Sequence, residues 1–389
     1  MKIVILVGDG MADEPIPSLL GKTPLEAANT PTFDKIAREG RSGLLNSIPD
    51  GFEAGSDIAN LSILGYDPST CYTGRGPLEA LSIGLDTGDK FVYRCNIVSI
   101  INDVMTDFTA GHITTKEATE LLNSLNGSID EVSFYPGVSY RNLLTLENGA
   151  GGETVPPHDI VGENIGINLP TGADSDILFR AFKVSERVFL NHEVNRVRIS
   201  EGKIQATHIW PWGGGKRPSL ENFKQKTGLS GGIISAVDLL NGIGRGASMK
   251  IIKVPGATGF LDTDYQAKAR YALLALKELD FVFIHIEAPD EAGHMGSLDA
   301  KIKAIEEVDR VAETILKEFH GIIAILPDHP TPVSLKTHTR DPVPFAVLGL
   351  GTDSVDKYSE RDAAKGSFGI INATSLLPIL INSKGSLNK

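Results

Sequence analysis

The segment KIVILVGDG, residues 2–10, is a short apolar run that ends in glycine and aspartate. Two later segments have the same form, DFVFIHIEAPD at residues 280–290 and GIIAILPDH at residues 321–329. With GGIISAV, MKIIKV and VPFAVLGL, several of them separated by helical patterns, they are typical of buried parallel strands. Open α/β sheets build their sites at the carboxyl ends of such strands. The predicted ligands at these ends are Asp9, Asp290, Asp328 and His329.

Residues with oxygen or imidazole donors make up the whole predicted site: Asp9, Ser56, Asp290, His294, Asp328, His329 and His338. Such donors suit divalent Mn, Zn, Co or Mg, and the seven are too many for one ion but enough for two. Three aspartates and a serine alkoxide would carry four negative charges, which balance two divalent cations. The sequence therefore predicts a two-metal phosphoryl-transfer centre.

Ser56 lies in FEAGSDIANLSILG, where a glycine precedes it and Ile58, Leu61 and Leu64 form a helical stripe after it. This pattern places the hydroxyl at a helix N-terminus, where free amides and the helix dipole favour an alkoxide or a bound phosphate. The alternative is that Ser56 is an ordinary helix cap.

The other predicted ligands differ in how strongly their spacing in the sequence favours metal binding. Asp290 and His294 are four residues apart, so one helical turn places them on the same face, although a solvated acidic loop is the alternative. Asp328 and His329 are adjacent and share an ion only in a loop, which the flanking prolines of LPDHP favour. His338, taken alone, is more typical of a structural histidine.

Length and composition narrow the class of protein. At 389 residues the chain exceeds the usual size of one core, so two domains are expected. The net charge of −12 opposes nucleic acid or an anionic membrane as partner, and no apolar stretch reaches the roughly 18 residues of a bilayer span. Only Cys71 and Cys95 occur and the N-terminus is unlike a signal peptide, so a reducing cytoplasm is expected. The sequence gives no indication of oligomeric state.

Residues 1–84 and 218–389 share the α/β pattern and are predicted to form the core. Residues 85–217 have shorter alternating runs (KFVYRCNIVSI, RNLLTLE and NRVRIS) and are predicted to form an inserted α+β domain with an antiparallel sheet. In the core, residues 300–319 have helical periodicity with Asp299 as the expected N-cap. The tail INSKGSLNK is expected to fray.

Together these residues resemble the alkaline phosphatase superfamily and, within it, cofactor-independent phosphoglycerate mutases of the archaeal type. The resemblance rests on VGDGMAD, FEAGSDIANLSILGYDP, VPGATGFLDTDY, IEAPDEAGH and LPDHPTPVSLKTHTRDPVPF, in that order along the chain. It implies an alkaline phosphatase-like parallel sheet core with a smaller inserted α+β lid domain. One metal would be held by Asp9, Ser56, Asp328 and His329, and the other by Asp290, His294 and His338.

The resemblance also implies an activity and the residues that serve it. A phosphoryl group would pass from phosphoglycerate to Ser56 and return to the other hydroxyl of glycerate, without bisphosphoglycerate. Manganese is the expected metal, with Mg, Co or Zn as alternatives. The inserted domain would bind the phosphorylated small-molecule substrate through Arg141, His158, Asp159, Lys216 and Arg217. Apart from the resemblance, Arg94 is a further candidate, because a phosphate dianion benefits from additional donors. Taken singly, the basic candidates Arg94, Arg141, Lys216 and Arg217 are more typical of surface charges.

Two other functions remain open from the sequence. A metal-dependent phosphatase or phosphodiesterase would use the same centre with water as acceptor. A non-catalytic binding protein on the same fold is the second alternative, although it would have no need of a nucleophile. Sulfatase chemistry is disfavoured, because AGSDIA lacks the Cys or Ser followed by Pro and Arg that such enzymes use.

Overall fold

A computed structural model describes residues 2–382, which divide into two compact units. Unit 1 comprises the described residues up to Tyr72 and from Leu220 onward, and unit 2 comprises Thr73–Ser219. Unit 2 begins before the expected residue 85 because helix Arg75–Ser82 packs on strand Phe91–Ile101. Residues 383–389 of the tail that was expected to fray lie outside the described residues.

Unit 1 is built on an eight-stranded mixed sheet. The three central strands of the sheet run parallel to one another, and their residues are buried along their whole length. In sheet order the strands are Ile370–Asn372, Arg41–Asn46, Val343–Leu348, Ile322–Leu326, Ile3–Gly8, Phe281–Ile286, Gly231–Ile234 and Lys250–Ile251.

One strand of unit 1 differs in direction from the prediction. Val343–Leu348, which contains most of VPFAVLGL, runs antiparallel to Ile322–Leu326. A parallel pair needs a crossover connection, usually a helix. Residues 327–342 contain no helix, so the chain returns from the same end of the sheet at which it left.

Helices cover the sheet of unit 1. The Leu298–Glu318 helix buries Ile305, Val308, Val311 and Ile315, as the periodicity predicted. The prediction that Asp299 caps it was wrong, because Ser297 precedes the helix and Asp299 lies in its first turn, where a carboxylate still meets the positive end of the dipole. The other α-helices are Pro24–Ala27, Pro31–Glu39, Ser56–Ile63, Pro68–Cys71, Phe223–Thr227, Asp238–Gly246, Tyr265–Ala275, Ala288–Met295, Glu360–Ala363 and Leu376–Asn382.

Unit 2 has the antiparallel sheet that its alternating runs predicted. The NRVRIS run, however, lies in a helix that buries Val194, Asn195 and Arg198, a helical spacing that a short alternating run does not exclude. The strands are Phe91–Ile101, Val104–Asp107, Val132–Val138, Arg141–Leu146 and His208–Gly215, and the α-helices are Arg75–Ser82, Thr115–Asn123, Ser175–Leu190 and Glu193–Ser200. None of the helices between residues 2 and 382 combines the length and hydropathy that crossing a bilayer requires.

Candidate metal centre

The predicted ligands of unit 1 meet at one edge of the sheet. The three central strands end side by side, so the residues that follow them converge, as the sequence predicted. Asp9 directly follows one of these strands, Asp328 follows a second strand after Pro327, and Asp290 lies in the first turn of the helix after the third. All three carboxylates are buried.

His294 and His338 close one side of the site around Asp290. The Nε2 atoms of the two histidines are 3.0 Å apart, and they lie 3.2 Å and 3.5 Å from the Asp290 carboxylate. On the other side of each ring, Nδ1 faces a carbonyl oxygen, that of Lys336 at 3.0 Å for His294 and that of Ala54 at 3.3 Å for His338. Because Nδ1–H donates to a carbonyl, each neutral ring presents its Nε2 lone pair to the other and to a carboxylate, an arrangement that a shared cation stabilises.

His329 joins a second group of ligands. Its Nε2 lies 3.4 Å from Asp9 Oδ1, 3.7 Å from Asp328 Oδ2 and 3.1 Å from Ser56 Oγ. Ser56 is the first residue of its helix, whose N-cap is Gly55, and no side chain caps that helix. The hydroxyl of Ser56 therefore faces the site and does not act as the cap of the alternative interpretation.

The backbone around Asp9 is shaped to bring these groups close. Gly10 has a φ of +59°, and a Cβ there would lie 2.5 Å from both Asp290 Oδ1 and Thr331 Oγ1. Only glycine fits this position. The Gly10 amide donates to Asp328 Oδ1 at 3.1 Å and so orients that carboxylate.

The sequence did not point to several further polar residues of the site. Asn60 donates to Asp328 Oδ2 at 2.7 Å, and Thr331 donates to Asp290 Oδ1. His285 lies on a buried strand, and its Nε2 faces the carboxylates of Asp9 and Asp328. Its Nδ1 faces Glu287, which pairs with Lys268. Two sequence signals could have indicated these residues. His285 is a polar residue inside the apolar run FVFIHIE, and Asn60 lies one helical turn after Ser56.

The electrostatics of the site call for positive charge. Burial raises the pKa of Asp9 well above its ordinary value, and the neighbouring Asp328 carboxylate raises it further. Burial opposes ionisation of Asp290 as well, but the adjacent imidazoles of His294 and His338 hold its pKa well below the ordinary value.

The donor set also fits divalent cations. Among the described residues, Asp9 Oδ1 and both ring nitrogens of His285 are buried without a hydrogen-bond partner. Buried polar atoms are rarely left unpaired, and a bound ion is one explanation. Between residues 2 and 382, ligand atoms close enough to hold an ion occur in three groups: Asp290, His294 and His338; Asp9, Asp290 and His329; and Asp9, His285 and Asp328. Their oxygen and imidazole donors suit Mn, Co, Zn or Mg.

In unit 2, several predicted substrate residues gather around Trp212. The Arg94 guanidinium lies 4.3 Å from the centre of the Trp212 ring, and the His158 ring lies 5.4 Å from it. Phe108 contacts both His158 and Tyr140, and the Arg141 guanidinium lies 5.1 Å over the Tyr140 ring. We call this set the Trp212 cluster: Arg94, Phe108, Tyr140, Arg141, His158 and Trp212.

The charges of the Trp212 cluster are unevenly compensated. Arg94 is buried and pairs with Glu79 at 3.0 Å, and burial, with a contribution from the neighbouring Arg75 and Arg141, lowers the pKa of Arg94 to about 10. Arg141 is exposed, and its Nε donates to the hydroxyl of Tyr140 at 3.2 Å. The cluster thus contains one structural arginine and one at the surface.

The remaining candidates of unit 2 are more exposed. Asp159 lies 3.7 Å from His158 and its side chain is 59% exposed. Arg217 pairs with Asp86, and the backbone carbonyl of Lys216 accepts from Thr73, while both basic side chains face solvent. The substrate role of Lys216 and Arg217 stays a prediction.

Comparison with known proteins shows the family of this chain over nearly its whole length. Residues 1–383 match the Metalloenzyme superfamily. A 2,3-bisphosphoglycerate-independent phosphoglycerate mutase of Methanosarcina barkeri is 49% identical, over 99% of this chain and all of the relative. A second such mutase, from Methanothermobacter thermautotrophicus, is also 49% identical, over 100% of this chain and 99% of its own.

Solved structures agree with the sequence relatives. A protein from Pyrococcus horikoshii superposes with a TM-score of 0.85 at 31% identity, covering 98% of this chain and 97% of its own. The cofactor-independent phosphoglycerate mutase of Thermoplasma acidophilum superposes with a TM-score of 0.67 at 27% identity, covering 98% and 99%.

Proposed function

Because the chain belongs to the 2,3-bisphosphoglycerate-independent phosphoglycerate mutases and to the Metalloenzyme superfamily, we propose a route by which it interconverts 2- and 3-phosphoglycerate. The phosphoryl group passes to Ser56 and returns to the other hydroxyl of the same glycerate. Two divalent cations and the residues that hold them make the transfer possible. The substrate is a phosphorylated small molecule, and no bisphosphoglycerate takes part.

Two ligand sets divide the cations between them. Asp9, Ser56, Asp328 and His329 hold one, and Asp290, His294 and His338 hold the other. The facing Nε2 atoms of His294 and His338, 3.0 Å apart beside a carboxylate, are the observation that carries the proposal. Bound divalent ions neutralise charge on the phosphate and favour the alkoxide of a serine. Manganese is the expected ion, with Mg, Co and Zn as alternatives.

Ser56 is the nucleophile. Its Oγ forms a bond to phosphorus, the bond from phosphorus to the glycerate oxygen breaks, and the proton lost by the serine ends on that oxygen. The reverse transfer to the other hydroxyl restores the free serine. The free amides of the first turn of helix Ser56–Ile63 favour the phosphate dianion that this exchange brings to the serine.

The other residues of unit 1 orient these groups. Asn60 donates to Asp328 and also to the carbonyl of Ser56, at 2.8 Å, and so links the helix of the nucleophile to a ligand. Thr331 donates to Asp290 and lies 3.3 Å from His329 Nδ1, which connects the two ligand sets. Groups fixed in this way need little rearrangement when the substrate binds.

Unit 2 binds the glycerate. The carboxylate of glycerate needs donors that the cations do not supply, and an arginine that binds it with two parallel hydrogen bonds is the natural choice. Arg141 is the leading candidate, because its guanidinium is exposed while that of Arg94 is buried against Glu79. His158 of the Trp212 cluster is the next candidate.

The direct test is to incubate the purified protein with manganese and 3-phosphoglycerate, and to measure 2-phosphoglycerate against free phosphate. We expect 2-phosphoglycerate to form without added bisphosphoglycerate and to exceed free phosphate. Free phosphate as the main product would favour the alternative of a metal-dependent phosphatase. The absence of both products with every candidate metal would favour a binding protein.

A further inference from the structure

His285 is a fully buried histidine that the proposed route does not use. It lies on the Phe281–Ile286 strand, and neither of its ring nitrogens has a hydrogen-bond partner within residues 2–382. Its Nε2 points into the site, 3.4 Å from Asp9 Oδ2 and 3.6 Å from Asp328 Oδ2. Both distances exceed those of ordinary N–H···O bonds, which are about 2.7–3.2 Å.

The same spacing recurs at the proposed ligands. His329 Nε2 lies 3.4 Å and 3.7 Å from the carboxylates of Asp9 and Asp328, and His338 Nε2 lies 3.5 Å from Asp290. Two ligand atoms that are each about 2.1 Å from one ion lie roughly 3.0–3.4 Å apart. The position of His285 therefore matches that of a group that shares a cation with its neighbours.

The other side of the His285 ring favours the lone pair that a ligand needs. Nδ1 lies 3.4 Å from Glu287 Oε1, and Glu287 also accepts from the hydroxyl of Ser235 and the amide of Ala236. The ammonium of Lys268, 2.6 Å from Glu287 Oε2, balances the charge of this carboxylate. A negative carboxylate on the Nδ1 side favours the tautomer that carries its proton on Nδ1 and leaves the Nε2 lone pair free, as is usual behind histidine ligands.

We infer that His285 is a further ligand of the cation held by Asp9 and Asp328, an inference that rests on the proposed metal centre. The charges favour one shared cation over a third ion beside His285. Asp9, Asp290, Asp328 and the Ser56 alkoxide balance two divalent cations, Lys268 balances Glu287, and a neutral imidazole adds no charge. A third divalent ion would leave uncompensated positive charge in a buried site, which is costly.

The added ligand distinguishes the two halves of the centre. The cation at Asp9 and Asp328 would have two imidazoles, two carboxylates and a serine oxygen around it, whereas Asp290, His294 and His338 supply three groups to the other. Zinc prefers four ligands, and manganese and magnesium accept six. The half that contains His285 should therefore select an ion of higher coordination number.

The experiment is a cobalt titration of the metal-free, full-length protein, followed by calorimetry and by visible absorption. The wild type should bind two equivalents. In His285→Ala, one of the two sites should weaken by at least about 10-fold, a loss that even an outer partner of a ligand can cause. The absorption of that site should intensify, because cobalt absorbs more strongly when it has fewer ligands. His208→Gln, which changes a buried histidine of unit 2, is the matched control and should titrate like the wild type.

Each outcome has a distinct meaning. A wild type that binds no cobalt would refute the proposed metal centre, whatever the variants do. Two equivalents bound with equal affinity by wild type and His285→Ala would refute the role of His285. A third equivalent that only the wild type binds would show a separate cation, and equal weakening of both sites would show a general structural effect; either overturns the inference. His285→Gln, which retains more of the side-chain volume, replaces the Ala variant if circular dichroism shows that the latter is unfolded.

Discussion

Unit 1 and unit 2 bury charged side chains in different ways. In unit 1, Asp9, Asp290 and Asp328 converge at the ends of parallel strands. Apart from the 3.2 Å contact of Asp290 with His294, they face histidine nitrogens at distances longer than those of ordinary hydrogen bonds. In unit 2, Arg94 is paired with Glu79 at hydrogen-bond distance and stacked on an aromatic ring. The buried carboxylates of unit 1 need cations to balance their charge, whereas the buried Arg94 of unit 2 is already balanced by Glu79. This difference supports the proposal that unit 1 carries out phosphoryl transfer and that unit 2 recognises the organic part of the substrate.

The largest effect should come from removing the cations. Exhaustive chelation should abolish isomerisation, because the buried carboxylates of unit 1 depend on positive charge, and added Mn or Co should restore it. The Trp212 cluster of unit 2, whose buried Arg94 is already paired with Glu79, should keep its near-ultraviolet circular dichroism. Full activity in protein shown by elemental analysis to be metal-free would contradict this assignment of roles.

Removal of the nucleophile should have the next largest effect. Ser56→Ala should lower isomerisation on the order of 10³-fold or more, because nucleophile and metals act as a unit. Ser69→Ala, at an exposed serine of the same unit, is the matched control and should leave the rate unchanged. Steady-state rates from 3-phosphoglycerate measure both. Wild-type rates in Ser56→Ala would exclude the proposed nucleophile.

Arg141 tests the role of unit 2. Loss of a bidentate, charge-assisted contact costs about 1.5–3 kcal/mol, so Arg141→Ala should lower isomerisation about 10- to 100-fold. Release of free phosphate should fall less, because glycerate that escapes from the phosphoenzyme leaves water as acceptor. Arg196→Ala, at an exposed arginine of unit 2 paired with Glu193, serves as control. If both activities of Arg141→Ala fall equally, or neither changes, Arg141 does not retain the glycerate.

Titration of Glu360 should give a smaller effect, confined to the stability of unit 1. Burial raises the pKa of Glu360 to about 7, and the folded state therefore holds a proton that the unfolded chain loses. This contribution to stability is complete below the ordinary pKa of 4.5 and is lost as the pH rises through 7. Glu360→Gln should raise the free energy of unfolding at pH 8 relative to the wild type by about 1–3 kcal/mol, with little change at pH 4.5. Urea titrations at the two pH values measure this difference, and an equal effect at both would contradict the expectation.

In unit 2 the expected pH dependence has the opposite sign. Burial lowers the pKa of His208, which stacks on Phe182, to about 4. The stability that this neutral ring contributes is complete above its ordinary pKa of 6.5 and is lost as the pH falls toward 4. Between pH 6.5 and 4.5, the free energy of unfolding should fall by about 1–2 kcal/mol less in His208→Gln than in the wild type. A wild-type pH profile in the variant would show that His208 does not titrate with unfolding.

The sequence predicted that the proposed ligands converge, but it did not indicate the polar residues that surround them. Asp9, Asp290 and Asp328 follow apolar runs, and a parallel sheet brings the ends of such runs together, so their convergence was predictable. His285 was missed because a single polar residue in an apolar strand does not reveal which groups face it. The direction of Val343–Leu348 was missed because apolar runs look alike in either orientation. The role of each ligand remains a proposal that rests on geometry.

The most direct measurement is to trap the phosphoenzyme. Wild-type protein loaded with manganese is mixed with 3-phosphoglycerate, quenched in acid within a turnover and digested, and the peptides are examined by mass spectrometry, with Ser56→Ala treated in parallel. We expect phosphate on Ser56 of the wild type and on no residue of the variant, together with 2-phosphoglycerate in the wild-type quench alone. Formation of 2-phosphoglycerate without phosphate on Ser56 at any quench time, or by the variant at the wild-type rate, would contradict the proposed phosphoserine route.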